Sequence, residues 1–124
     1  MENKIKKIKL LLKEPGLDAV LISSVSNITY VIGYCGFSYF EREAFLVITT
    51  KENYLITDGR YSEAVSDISG FELLEISSTR QLEHILKYLS EEKKIKKIGI
   101  EENNLSVAEY RKIRKYFKTA NLKD

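Results

Sequence analysis

The chain has 124 residues, 44% hydrophobic and 31% charged, the length and balance of one soluble globular domain and not of a disordered segment. Its 20 Lys and Arg face 18 Asp and Glu for a net charge of +2, too even to imply a nucleic-acid partner. No apolar run approaches the ~18 residues a membrane span needs, Lys9 and Lys13 interrupt the apolar stretch of the basic amino terminus with no small-residue cleavage site behind them, and the single cysteine, Cys35, has no internal disulfide partner and points to a reducing cytoplasm.

In chain order, residues 3–13 place Ile5, Ile8, Leu11 and Leu12 on one helical face, stopped by Pro15-Gly16. The Lys residues interleaved there, and again at 93–97, read as a wet face. Residues 18–23 form an apolar run of strand length, suited to a strand covered on both sides. Ser24 or Ser26 can cap a short helix carrying Ile28, Tyr30, Val31 and Ile32 and ending at Gly33. Residues 34–42 are aromatic and punctuated by glycine, and read as a loop. Residues 44–49 and 54–57 are strands of a hairpin joined by the polar link 50–53.

Asp58-Gly59 opens a helix with Tyr61, Ala64, Val65 and Ile68 on its apolar face, followed by a strand over 71–76. Ser78 with Gln81 has capping-box spacing ahead of the stripe Leu82, Ile85, Leu86 and Leu89. A short strand over 97–101 precedes a second box, Ser106 with Glu109, which starts a helix turning Tyr110, Ile113 and Phe117 inward. The alternation predicts an α/β domain with a mixed β-sheet of five to six strands, one antiparallel hairpin and helices on both faces.

Chemistry-bearing patterns are sparse. The only histidine, His84, lies between positions of an amphipathic helix, and no HExxH, CxxC or GxGxxG pattern occurs, which excludes zincin, zinc-ribbon and dinucleotide-binding readings. Cys35 has no base in sequence reach, and Ser23-Ser24 and Ser77-Ser78 lack the glycine elbow of a hydrolase serine. Asp58, Glu101 and Glu102 fall at or just after strand ends, where carboxylates can gather Mg²⁺ for phosphodiester hydrolysis, but a third and fourth acid in register are missing. In the run Thr57-Asp58-Gly59-Arg60-Tyr61, Asp58 can cap the helix, Gly59 can turn the chain tightly and Arg60 can pair with a carboxylate or a carbonyl; the same junction could instead receive an anion.

Taken together, residues 17–22 (LDAVLI), 24–34 (SVSNITYVIGY), 44–49 (AFLVIT) and 54–61 (YLITDGRY) resemble, in order and spacing, the amino-terminal domain of the creatinase, prolidase and aminopeptidase P family, over residues 3 to 120. Val25 and Ser26 stand where that family has Pro-Glu, Thr29 where Arg is common, and Ile32 where Thr is usual; Asn27, Tyr30, Gly33, Asp58, Gly59, Arg60 and Tyr61 match. The resemblance implies that residues 1–124 form the non-catalytic amino-terminal domain of a Xaa-Pro aminopeptidase or dipeptidase, with those seven residues mainly structural. It implies a catalytic pita-bread domain absent from this chain, holding two divalent metals, commonly manganese, through Asp, Asp, His, Glu and Glu. No catalytic residue, metal or cofactor is expected in the chain itself.

The implied partners are its own catalytic domain, a second subunit of a homodimer, and a proline-containing peptide; the implied roles are oligomerisation and shaping of the substrate cleft. The same domain also occurs in relatives that have lost catalysis, where it is a protein-interaction module. Residues 121–124 are expected to be a final strand or a linker. Within residues 34–42, Tyr34, Phe37, Tyr39 and Phe40 suggest a loop that reaches a partner's cleft near the proline side, with Arg42 meeting a substrate carboxylate. The alternative is that two or three of the rings fold back on the domain's own core.

Overall fold

Helices and strands alternate as the hydrophobic pattern predicts in the computed structural model, which describes residues 2–13 and 16–122. Helix α1 (Glu2–Lys13) seats Ile5 and Leu12 on the sheet, with Ile8 partly covered. The predicted stop at Pro15 and the side chain of Leu11 lie outside the described residues. Strand β1 (Ala19–Ile22) is buried throughout, and its side chains alternate between the two faces: Ala19 and Leu21 on one, Val20 and Ile22 on the other. Helix α2 (Val25–Ile32) ends at Gly33, which has φ 79° and whose N–H donates to the Thr29 carbonyl at 2.8 Å. That left-handed cap is the conformation glycine adopts without a Cβ clash.

Strands β2 (Ala44–Thr49) and β3 (Asn53–Asp58) form the hairpin, each buried over most of its length. Thr49 organises the turn, its Oγ1 accepting from the N–H groups of Lys51 and Glu52. The rest of the chain is α3 (Gly59–Val65), β4 (Glu72–Ile76), α4 (Leu82–Glu91), β5 (Lys97–Ile100), a 3₁₀ turn (Glu102–Asn104), α5 (Val107–Tyr116) and β6 (Lys118–Asn121).

The six strands lie in the order β4-β3-β2-β1-β5-β6, with β2 antiparallel to both neighbours and every other pair parallel. The hairpin forces that one reversal. Helices α4 and α5 cover one face, with Ile85, Leu86, Leu89, Ile113 and Phe117 packed against Leu21, Phe45, Val47 and Ile56. Helices α1, α2 and α3 cover the other, with Leu12, Ile28, Val31 and Val65 against Val20, Ile22, Leu46, Ile48 and Leu55. Among the described residues no helix is long and apolar enough to cross a membrane.

Several local expectations are corrected. Helix α3 stops at Val65, so Ala64 is exposed and Ile68 packs from the following turn. The predicted capping box at Ser78 and Gln81 shifts by one turn: Ser77 and Arg80 exchange backbone hydrogen bonds (2.9 and 3.2 Å), which commits residues 77–80 to a tight turn. Helix α4 therefore starts behind Gln81, whose N–H donates to His84 Nδ1 at 3.0 Å. The box at Ser106 and Glu109 stands as predicted. Tyr110 is exposed, while Ile113 and Phe117 do turn inward. The last strand begins three residues earlier than expected and pairs parallel to β5.

Candidate functional site

Strand direction gathers the chemistry-bearing residues at one end of the sheet. Strands β1, β3 and β5 run parallel and finish there, and β2, the reversed strand, begins there. Ser23, Arg42, Glu43, Asp58 and Glu101 thus stand at the carboxyl edge, the side on which open α/β sheets offer a crevice. Three hydrogen-bonded groups occupy this edge.

The first is centred on Glu101. Its carboxylate accepts from the N–H groups of Ser23 (2.7 Å) and Ser24 (2.9 Å), from Ser24 Oγ (2.9 Å) and from Asn27 Nδ2 (2.7 Å). Ser24, the N-cap residue of α2, makes no side-chain bond to its own helix. Glu101 supplies the negative group there from the end of β5. Asn27, matched to the family motif, is the fourth donor of this arrangement. Tyr30, one turn on, is 58% exposed and lies under Lys4, whose Nζ is 4.2 Å from the ring centroid and donates to the Tyr30 carbonyl at 2.8 Å. Asn27, Tyr30 and Glu101 line a groove of about 960 Å³ with Asn121 and Leu122.

The second group is the Asp58-Gly59-Arg60-Tyr61 turn. Asp58 caps α3 by accepting from the Arg60 N–H at 2.9 Å, and also takes both Arg60 Nε (3.0 Å) and Nη2 (2.8 Å). Caps of this kind contribute about 0.5–2 kcal/mol. The Arg60 hydrogen bond, outweighing the cost of burial, holds the Asp58 carboxyl below its ordinary range, and the same contact raises Arg60. Gly59 corrects its predicted role: its φ is not positive, and a Cβ there would meet only the Glu75 carboxylate at 3.9 Å. The turn does not require glycine.

Tyr61, whose ring centroid lies 5.4 Å from the Arg60 guanidinium carbon, reaches on to a further acid. Its hydroxyl donates to Glu43, a residue 7% exposed that also accepts from the Ser38 N–H and lies 3.8 Å from Arg60 Nη2. The Tyr61 hydrogen bond, then the Ser38 N–H, lower the Glu43 carboxyl against the opposing effect of burial. The same bond to Glu43 pushes the Tyr61 phenol up to about 12. Glu43 was not singled out by the sequence reading, because one acid ahead of an apolar strand is too common a pattern to single out.

The third group anchors the aromatic loop. Phe37 is 4% exposed and sits between Tyr34 (centroids 4.9 Å apart, 73° between planes) and Tyr61 (5.0 Å, 60°). Tyr39 and Phe40 are 71% and 97% exposed. The loop is therefore divided: two rings fold back, as the alternative reading had it, and two project. Arg42 uses all five of its N–H donors inside the domain. Nε and Nη2 bind the Glu109 carboxylate (2.8 and 3.2 Å), Nη1 binds the Ser23 carbonyl (2.6 Å) and Asn104 Oδ1 (2.9 Å), and Nη2 also binds the Asn104 carbonyl. Burial works to raise the Glu109 carboxyl, but the Arg42 and Ser106 hydrogen bonds prevail and lower it.

The two divalent metals that the resemblance assigns to the catalytic domain have no ligand set among the described residues. Asp58 is engaged by Arg60 and Glu101 by the start of α2, and among the described residues no three His, Cys, Asp or Glu side chains are grouped to hold a metal ion. His84 sits at the start of α4 as a capping acceptor, and Cys35 is exposed.

Comparison with known proteins fits this arrangement. The family described as the creatinase/prolidase N-terminal domain matches residues 4–124. The chain belongs to that family. A curated relative, the uncharacterized peptidase YqhT of Bacillus subtilis (strain 168), is 31% identical over 108 residues, covering 86% of this chain and 29% of the relative. Among solved structures, a Xaa-Pro dipeptidase from Bacillus anthracis superposes with TM-score 0.82 at 21% identity, over 98% of this chain and 33% of that one. The aminopeptidase P of Streptococcus thermophilus matches with TM-score 0.77 at 25% identity, over 98% of this chain and 91% of that one. A creatinase/prolidase N-terminal domain from a Streptococcus pyogenes X-Pro dipeptidase matches with TM-score 0.84 at 20% identity, over 98% and 95%. This creatinase/prolidase N-terminal domain thus spans about a third of the length of its longer relatives.

Proposed function

We propose that this domain is the amino-terminal, non-catalytic part of a Xaa-Pro peptidase, a metal-dependent hydrolase of the aminopeptidase or dipeptidase type whose catalytic domain lies outside these residues. One observation carries the reading: residues 4–124 match the family, and the longer relatives that share the domain bear peptidase names. The Asp58 and Glu101 carboxylates support it, because their lone pairs serve helix starts and, among the described residues, no three acids, histidines or cysteines converge on a common point.

The domain's own role is to join a second subunit and to border a substrate cleft. The exposed Tyr39–Phe40 tip is the part of its surface suited to that contact, since exposed aromatic rings favour a proline ring or an apolar subunit surface. Arg42 is assigned to anchoring the tip and not to a substrate carboxylate, its donors being engaged already. The free thiol of Cys35 suits a reducing cytoplasm.

Kinetics of the full-length protein test this. Cleavage of Xaa-Pro peptides that needs a divalent metal is expected, with poor turnover of peptides lacking proline. A full-length protein that is folded, metal-loaded and inert toward Xaa-Pro peptides would contradict the reading in favour of an interaction module.

A further inference from the structure

Two apolar rings on an exposed loop make a useful contact only if the loop presents them in a fixed geometry, because ordering a mobile loop on contact opposes binding. The tip is tied down by an unusual group for that task, a buried carboxylate. Glu43 accepts from the Ser38 N–H, and Ser38 Oγ accepts in turn from the Phe40 N–H at 3.0 Å, so the backbone of the most exposed ring is two hydrogen bonds away from Glu43. Glu43 is itself held from three sides. Thr57 Oγ1 on β3 donates to its carbonyl at 2.7 Å, the Tyr61 hydroxyl donates to its second carboxylate oxygen, and Arg60, locked by Asp58, lies 3.8 Å away. The preceding residue, Arg42, clamps the other side of the loop to Asn104 and Glu109.

We propose that Glu43, held by Tyr61, is a positioning residue that keeps the Tyr39–Phe40 tip in one preformed arrangement; its use in a substrate cleft rests on the function proposed above. The Asp58-Gly59-Arg60-Tyr61 motif then acts at a distance from its own helix. Asp58 holds Arg60, Arg60 and Tyr61 hold Glu43, and Glu43 holds the loop.

Backbone ¹⁵N relaxation on the 124-residue chain tests the positioning directly. In the native chain the amides of Tyr39 and Phe40 are expected near the rigid-backbone order parameter of about 0.85. In Tyr61→Phe, which keeps the ring beside Phe37 and removes only the hydroxyl, they are expected to fall toward about 0.6 or lower, while those of Leu46 and Ile56 stay rigid. Glu43→Ala is expected to loosen the tip further and Glu43→Gln to recover part of the order. A tip that is mobile in the native chain, or rigid in both Tyr61→Phe and Glu43→Ala, overturns the proposal. In the full-length protein Tyr61→Phe should raise KM about three- to tenfold with kcat held. A loosened tip with unchanged KM upholds Glu43 as a positioning residue and overturns the cleft role of the tip.

Discussion

Phe37→Ala should lower the unfolding free energy of the domain by about 3–5 kcal/mol, the range for removing a buried aromatic ring, while Phe40→Ala, three residues away, should leave it within about 0.5 kcal/mol. Phe37 is 4% exposed and packed between Tyr34 and Tyr61, whereas Phe40 is 97% exposed. Each aromatic pair adds about 0.5–1.5 kcal/mol beyond the area it buries, and the residues flanking Phe37 in the chain, Gly36 and Ser38, are too small to fill the space. Urea titration of the two variants checks this, read as a shift in midpoint at unchanged slope. Equal stability of both variants would mean that the loop is not tied to the core through Phe37.

Glu101→Ala is expected to cost about 2–4 kcal/mol, because a carboxylate that satisfies four donors is withdrawn and the N–H groups of Ser23 and Ser24 lose their partner. At roughly 3–5 °C per kcal/mol for a domain of this size, the melting temperature should fall about 6–20 °C. Asn27→Ala, which removes one donor of the four and leaves the carboxylate in place, should fall by much less. Thermal melts monitored by circular dichroism separate the two. An unchanged melt for Glu101→Ala would return this acid to the list of free carboxylates at the sheet edge.

The order of elements and the mixed sheet were legible because their signals are periodic and local. The apolar run at residues 18–23 and the hairpin over 44–57 each contain enough residues to fix strand identity, and the hairpin dictates the one reversed strand. Helix starts were legible where an Asp or Ser side chain caps its own helix, as at Asp58 and Ser106, and misread elsewhere. Ser77 and Arg80 use their backbone on each other, which a spacing rule for Ser78 and Gln81 cannot register. The start of α2 is satisfied by Glu101, 77 residues away from Ser24.

The edge of the sheet was hardest to read for the same reason. The partners of Arg42 lie at Ser23, Asn104 and Glu109, and those of Glu43 at Ser38, Tyr61 and Arg60, so each contact exists only once the strands have set their ends side by side. The family motif Asp-Gly-Arg-Tyr could be read as a cap and a turn, but not as the support of a loop eighteen residues upstream. Burial divides the aromatic loop, and nothing in the string of residues 34–42 distinguishes Phe37 from Phe40.

Asp58 and Glu101 at this edge serve the fold, and the proposed function puts hydrolysis outside these residues. The most direct test is Xaa-Pro peptide turnover by the purified 124-residue chain with and without added Mn²⁺. The account predicts no turnover above buffer in either condition. Metal-dependent turnover that follows the chain through purification and disappears in Asp58→Ala or Glu101→Ala variants that still fold would contradict it.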